Sequence, residues 1–196
     1  MKIISALHKI HQKGLYGDFE GKKDDNIIKI SEIKDISIFQ VVQFNKSELT
    51  NQNLKIDGIE FPKNVLQVES NNMTRILWQG PNNWLVISNK KQKELFDEFK
   101  NFDSKIYAVT DLSHARAAIE MEGKHVSEVL KKGCPLNIND LKINNSVNSV
   151  FNGITITIDV LQSQVEKVRV YSLRSFGESL YYSLTDASLE FGYKNI

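Results

Sequence analysis

Alternation of apolar and polar positions predicts strands over much of the chain, and stretches where the apolar step lengthens to three or four residues predict helices between them. Residues 36–44, ISIFQVVQF, alternate imperfectly and are rich in β-branched and aromatic side chains, as expected of a strand with one face more deeply buried. Residues 74–79 and 84–88 are apolar segments joined by Gly80, Pro81, Asn82 and Asn83, whose turn chemistry argues for a hairpin. Across residues 90–102, Leu95, Phe96, Phe99 and Phe102 recur at helical steps, so one face of a helix is expected to cover the sheet. Residues 105–112 and 115–122 follow as strands, with Ala117, Ile119 and Met121 alternating against Arg116, Ala118, Glu120 and Glu122. After Gly123 a short helix carries Val126, Val129 and Leu130 inward. Gly133 is expected as its C-terminal cap, with Pro135 just beyond.

The last stretch repeats the theme. Ile154, Ile156, Ile158 and Val160 alternate with Thr155, Thr157, Asp159 and Leu161, and residues 165–173 return with Val168 and Val170 on one face, which suits an antiparallel pair. Ser175 followed by Glu178 predicts a capping box opening a final helix, with Phe176, Leu180 and Leu184 on its buried face. The rhythm is strand, strand, helix, three times over, and it predicts an α+β fold in which helices pack on an antiparallel sheet. The first 35 residues carry Gly14, Gly17 and Gly21 among charges, with little periodicity, and read as an arm that needs a surface to lie on. Residues 45–65 are polar and receive no element. The expected organisation is an N-terminal arm over 1–35 and a single α+β domain over 36–196, the alternative being two small subdomains split near residue 104.

Composition narrows the function. The protein has 196 residues, 41% hydrophobic and 25% charged, which places it with ordinary globular proteins. Lys and Arg total 25 against 24 acidic residues, so the +1 charge gives no field steering it to nucleic acid or anionic lipid. No basic stripe interleaved with aromatics appears, and no segment approaches the roughly 18 apolar residues of a membrane span. The expectation is a cytoplasmic protein with neither nucleic acid nor membrane as partner. One cysteine, Cys134, excludes an internal disulfide and any cysteine-built zinc or iron–sulfur site within the chain.

Candidate chemistry is sparse. Asp111, His114 and Cys134 are the residue types of a cysteine nucleophile activated by an imidazole. Each has a plainer role: Cys134 as a buried apolar thiol at a helix end, His114 closing a turn, and Asp111 accepting hydrogen bonds from turn N–H groups. His8, His11, His114 and His125 are scattered, and neither G-x-G-x-x-G nor a phosphate loop occurs, so no metal, nucleotide or catalytic residue is assigned. Trp78 and Trp84 flank a tight turn and suit either core or interface. Arg116 and Arg174 are stronger contact candidates, since a guanidinium engages carboxylates bidentately. The candidate subunit-interface set is Trp84, His114, Arg116, Arg174 and Phe176.

Four blocks carry a family likeness: WQGPNNWL over 78–85, VTDLSHARAAIEMEG over 109–123, LKKGCPLN over 130–137 and RSFGESL over 174–180. In this order, across roughly residues 70 to 193, they resemble the gamma subunit of heterotetrameric sarcosine oxidase. The DLSH segment, followed by a strand, a glycine and a helix, is also similar to the opening motif of the folate-dependent aminomethyltransferases of glycine cleavage. That resemblance implies a protein with an aminomethyltransferase-like fold, partnered by alpha, beta and delta subunits, in an oxidoreductase acting on CH–NH donors. It implies that FAD, FMN and NAD are carried, and tetrahydrofolate used, by the complex and not bound by this subunit, which would be non-catalytic and colourless. The alternative is a free-standing folate-binding or aminomethyltransferase-like protein. The carboxylate that faces the pterin in that family is not matched here.

Overall fold

A computed structural model describes residues 4–23, 26–44 and 54–196. Its strands, in sequence order, begin with β1 (Gly14–Tyr16), β2 (Ile28–Glu32), β3 (Ser37–Gln43), β4 (Lys55–Ile56) and β5 (Ile59–Glu60). They continue with β6 (Val68–Ser70), β7 (Thr74–Gly80), β8 (Asn83–Ser88), β9 (Tyr107–Asp111) and β10 (Arg116–Glu122). The last are β11 (Ser146–Phe151), β12 (Ile154–Val160), β13 (Lys167–Leu173) and β14 (Tyr193–Asn195). The α-helices are α1 (Gln92–Phe99), α2 (Val126–Gly133) and α3 (Gly177–Ser188). The protein divides into two compact units, one of Met1–Lys34 with Ala115–Ile196 and one of Asp35–His114.

The first unit is built on a seven-stranded sheet of order β1-β14-β2-β10-β13-β12-β11. Its β14 and β2 run parallel, a departure from the purely antiparallel sheet expected. The period-two pattern of β10 decides which face is buried: Ala117, Ile119 and Met121 lie opposite Ser172, Val170 and Val168 of β13. On that face α2 and α3 bring Val126, Val129, Leu130, Leu180 and Leu184 into one core with Ile119, Met121, Val168 and Val170. Each such aliphatic side chain taken from water contributes roughly 1.5–3 kcal/mol. Residues 1–35, read as an arm, supply β1 and β2 to this sheet.

Two expected helix signals in this unit turn out otherwise. Gly133 is the last residue of α2 and not a left-handed cap; Cys134 follows in extended conformation, its N–H donating to Leu130 O at 2.9 Å. Glycine is required there for a different reason, because a Cβ would stand 2.8 Å from the Phe151 ring of β11. The Ser175–Glu178 capping box does not form. Ser175 lies inside a 3-10 turn, Arg174–Phe176, and α3 starts from Phe176 with no side-chain cap, since a capping serine needs an extended position outside the helical turn. Phe176 is accordingly 48% exposed, while Leu180 and Leu184 are fully buried as expected.

The second unit holds a five-stranded antiparallel sheet of order β6-β7-β8-β3-β9 and the small β4–β5 hairpin. The β7–β8 hairpin falls where the turn residues place it: Gly80 pairs with Asn83, leaving Pro81 and Asn82 as the loop, with Asn82 at φ 57°. On α1, Leu95 and Phe99 are buried, and the Phe99 ring lies 4.9 Å from that of Phe39 on β3. Phe96, expected on the same face, is 55% exposed. Successive helical residues are about 100° apart, and with Leu95 and Phe99 centred on the sheet Phe96 falls at the edge of the buried face.

The threefold strand–strand–helix repeat is also corrected. Adjacent in sequence, β9 and β10 belong to different sheets: β9 pairs with β3, whereas β10 pairs with β2 and β13. Within the unplaced 45–65 stretch, residues 45–53 lie outside the described residues and 55–60 form the β4–β5 hairpin.

Candidate functional site

In the second unit, the β7–β8 hairpin sets Trp78 directly opposite Trp84. Trp84 is 8% exposed; its indole N–H donates to Pro62 O at 2.8 Å, and its ring meets Phe61 edge-on at 5.3 Å. Trp78, Trp84, Phe61, Tyr107, Pro62 and Pro81 line a cleft of about 420 Å³, whose polar lining comes from Gln43, Asn82, Glu60 and Lys63. Burial raises the Tyr107 phenol above its ordinary value, so it stays a neutral donor. Sequence reasoning found the tryptophans from their turn but missed Phe61, because residues 45–65 carry no periodicity, and Tyr107, because its strand pairs with β3, far away in the sequence.

The residues after β9 behave as turn formers. Asp111 Oδ1 accepts the Ser113 N–H at 2.9 Å, and its other oxygen accepts from the Gln92 side-chain amide. Ser113 Oγ in turn accepts the Ile38 N–H at 2.9 Å. His114 follows, exposed to solvent. Asp111 and His114 belong to the second unit, and Cys134 to the first. Cys134 is 7% exposed, and burial, against a hydrogen bond from Ser149, pushes its thiol up to about 11. It is protonated at neutral pH, whereas a nucleophilic cysteine needs its thiolate.

The structure brings Arg116, Arg174 and Phe176 together in the first unit. Arg116 opens β10 opposite Leu173, the last residue of β13, so the two side chains share a face. Arg174 N–H donates to Ala115 O at 2.9 Å, and its guanidinium donates to Ile4 O. Leu173, opposite Arg116, is 45% exposed; Ile4, whose carbonyl Arg174 holds, and Phe176, which ends the Arg174 turn, are 57% and 48% exposed. Leu173 had a readable signal, being an apolar residue out of phase with Val168 and Val170. Farther along the same face, Arg169 Nε stands 2.7 Å from Glu120 Oε2, and Lys167 bonds Glu120 at 3.0 Å and Glu122 at 2.7 Å. The Arg116 side chain is half-buried and has no hydrogen-bond or ion-pair partner among the described residues; burial alone holds its guanidinium below the ordinary value.

Among the described residues no cluster of three His, Cys, Asp or Glu side chains is placed to hold a metal ion, and no helix is long and apolar enough to cross a membrane. The fold, two main sheets with few helices, is similar to that of an aminomethyltransferase. A glycine cleavage system aminomethyltransferase T from Bartonella henselae superposes with a TM-score of 0.55 at 12% identity, over 81% of this protein but only 45% of that one. A subunit of the heterotetrameric sarcosine oxidase from Corynebacterium sp. U-96, solved in complex with pyrrole 2-carboxylate, superposes with a TM-score of 0.76 at 21% identity, covering 86% of this protein and 87% of that subunit. The chain belongs to the sarcosine oxidase, gamma subunit family, whose model matches residues 48–190. No curated protein matches it.

Proposed function

We propose that the protein is the non-catalytic gamma subunit of a heterotetrameric sarcosine oxidase and supports assembly of a complex that oxidatively demethylates sarcosine to glycine, with folate accepting the one-carbon unit. The observation that carries this reading is the family match over residues 48–190. The likeness to a sarcosine oxidase subunit along nearly the whole length of both proteins supports it. Alpha, beta and delta subunits are the partners in this reading, and they hold FAD, FMN, NAD and the tetrahydrofolate site. Locally, the protonated, buried Cys134 and the turn-bound Asp111 favour a structural role over a catalytic one. The test is to tag the protein in its native host. Co-purification of larger, flavin-bearing subunits is expected, while a colourless protein that recovers alone and binds tetrahydrofolate saturably in a calorimeter would overturn the reading.

A further inference from the structure

Resting on that subunit reading, we propose that the edge formed by Arg116, Leu173, Arg174 and Phe176 receives a carboxylate-bearing, apolar segment of another subunit of the oxidase. The need for a partner arises at Arg116. A guanidinium offers five N–H donors and cannot shed its charge at physiological pH, so partial removal from water leaves it unsatisfied unless an acceptor comes to it. Farther along the same face, Arg169 shows the usual solution, a bond to Glu120 at 2.7 Å. The Arg116 side chain is half-buried with no such partner among the described residues.

The neighbours of Arg116 define what would satisfy it. Arg174, tied to the same strand end through the Ala115 carbonyl, adds a second guanidinium, only part of whose donor capacity is used on Ile4 O. Glu178, in the first turn of α3, makes no ion pair with either arginine. Two cations that form no ion pair among the described residues call for an anion, and the planar fork of arginine matches a carboxylate bidentately. Leu173 opposite Arg116, Ile4 whose carbonyl Arg174 holds, and Phe176 at the end of the Arg174 turn are exposed, and they call for apolar side chains flanking that carboxylate. An apolar centre containing arginine and aromatic side chains is the usual composition of an interface core. The partner chemistry is therefore an Asp, Glu or terminal carboxylate beside apolar residues, on a protein surface.

The test compares the wild-type protein, Arg116→Glu, Arg116→Lys and Phe176→Ala, each full length, titrated onto the remaining subunits of the oxidase. Unchanged thermal unfolding of each free variant establishes that the fold is kept. Arg116→Glu is expected to weaken association by about thirtyfold or more, the scale of losing a partner in a desolvated charge pair. Arg116→Lys should fall between it and the wild type, and Phe176→Ala should weaken association less, without changing its salt dependence. Wild-type association with undiminished affinity of Arg116→Glu overturns this inference and leaves the subunit reading standing. Failure of the wild-type protein to associate overturns both. Should Arg116→Glu unfold, Arg116→Gln takes its place, with the same expected weakening and the same overturning result.

Discussion

At the scale of single residues, chemistry and packing pull against what the local sequence suggests. Cys134 sits beside Gly133 and Pro135 in a setting that reads as a helix stop, and the thiol is buried there with its proton held to about pH 11. At neutral pH its alkylation in the folded protein is expected to run about a hundredfold or more slower than that of an exposed cysteine, measured with an iodoacetamide-based label before and after denaturant. Gly133 was legible as a helix-end glycine, but its reason was not, because the Phe151 ring that approaches it comes from β11 and no local rule reports on so distant a stretch of sequence. Gly133→Ala should lower stability by about 1–3 kcal/mol, since the ring must shift to admit a methyl group; chemical denaturation measures the loss. The same limit explains Phe96 and Phe176. An apolar residue next to a buried position looks like core in a window, yet the turn geometry leaves each about half exposed.

At the scale of elements, what was readable is what local chemistry determines. The β7–β8 hairpin follows from Gly80 to Asn83, β12 and β13 from strict alternation, and the buried face of α2 from Val126, Val129 and Leu130. The β7–β8 and β12–β13 pairings were readable from their short connections, but the remaining partners were not, because a period of two names the buried face and not the neighbour, and so the split of β9 and β10 between sheets left no trace. One network shows how short elements are held. Lys90 pairs with Asp57 and reaches Glu98 at 3.4 Å; Thr74 Oγ1 donates to Asp57 Oδ2 at 2.7 Å, and Glu98 Oε2 accepts the Asp57 N–H at 2.6 Å. These bonds tie the β4–β5 turn to β7 and α1. Burial would raise the Asp57 carboxyl, but hydrogen bonds from Lys90, Thr74 and Asn71 outweigh it and hold the group below its ordinary 3.8. A depressed folded value means the stabilisation is complete above that ordinary value and is lost as pH falls through the lowered one. Asp57→Asn should therefore cost about 1–3 kcal/mol at neutral pH, and the gap between variant and wild type should close under acid, followed by denaturant midpoints across pH.

At the scale of the whole molecule, each unit carries its own core: one around Ile119, Val170 and Leu184, the other around Phe39, Val86 and Trp84. The family was legible from four short blocks spread along the sequence, and the family model matches residues 48–190, which span all of them. The structure gathers Arg116, Arg174 and Phe176 at one edge with Leu173 and Ile4, buries Trp84 against Phe61 and leaves His114 exposed at a turn. In the proposed function this protein contributes by assembly while the chemistry belongs to its partners. Sarcosine-dependent hydrogen peroxide formation tests it most directly, measured on the isolated protein and on the complex recovered with it. Steady peroxide production by the complex, and none by the protein alone, is the expected result; turnover of sarcosine by the purified protein, or a complex equally assembled and active without it, would contradict that claim.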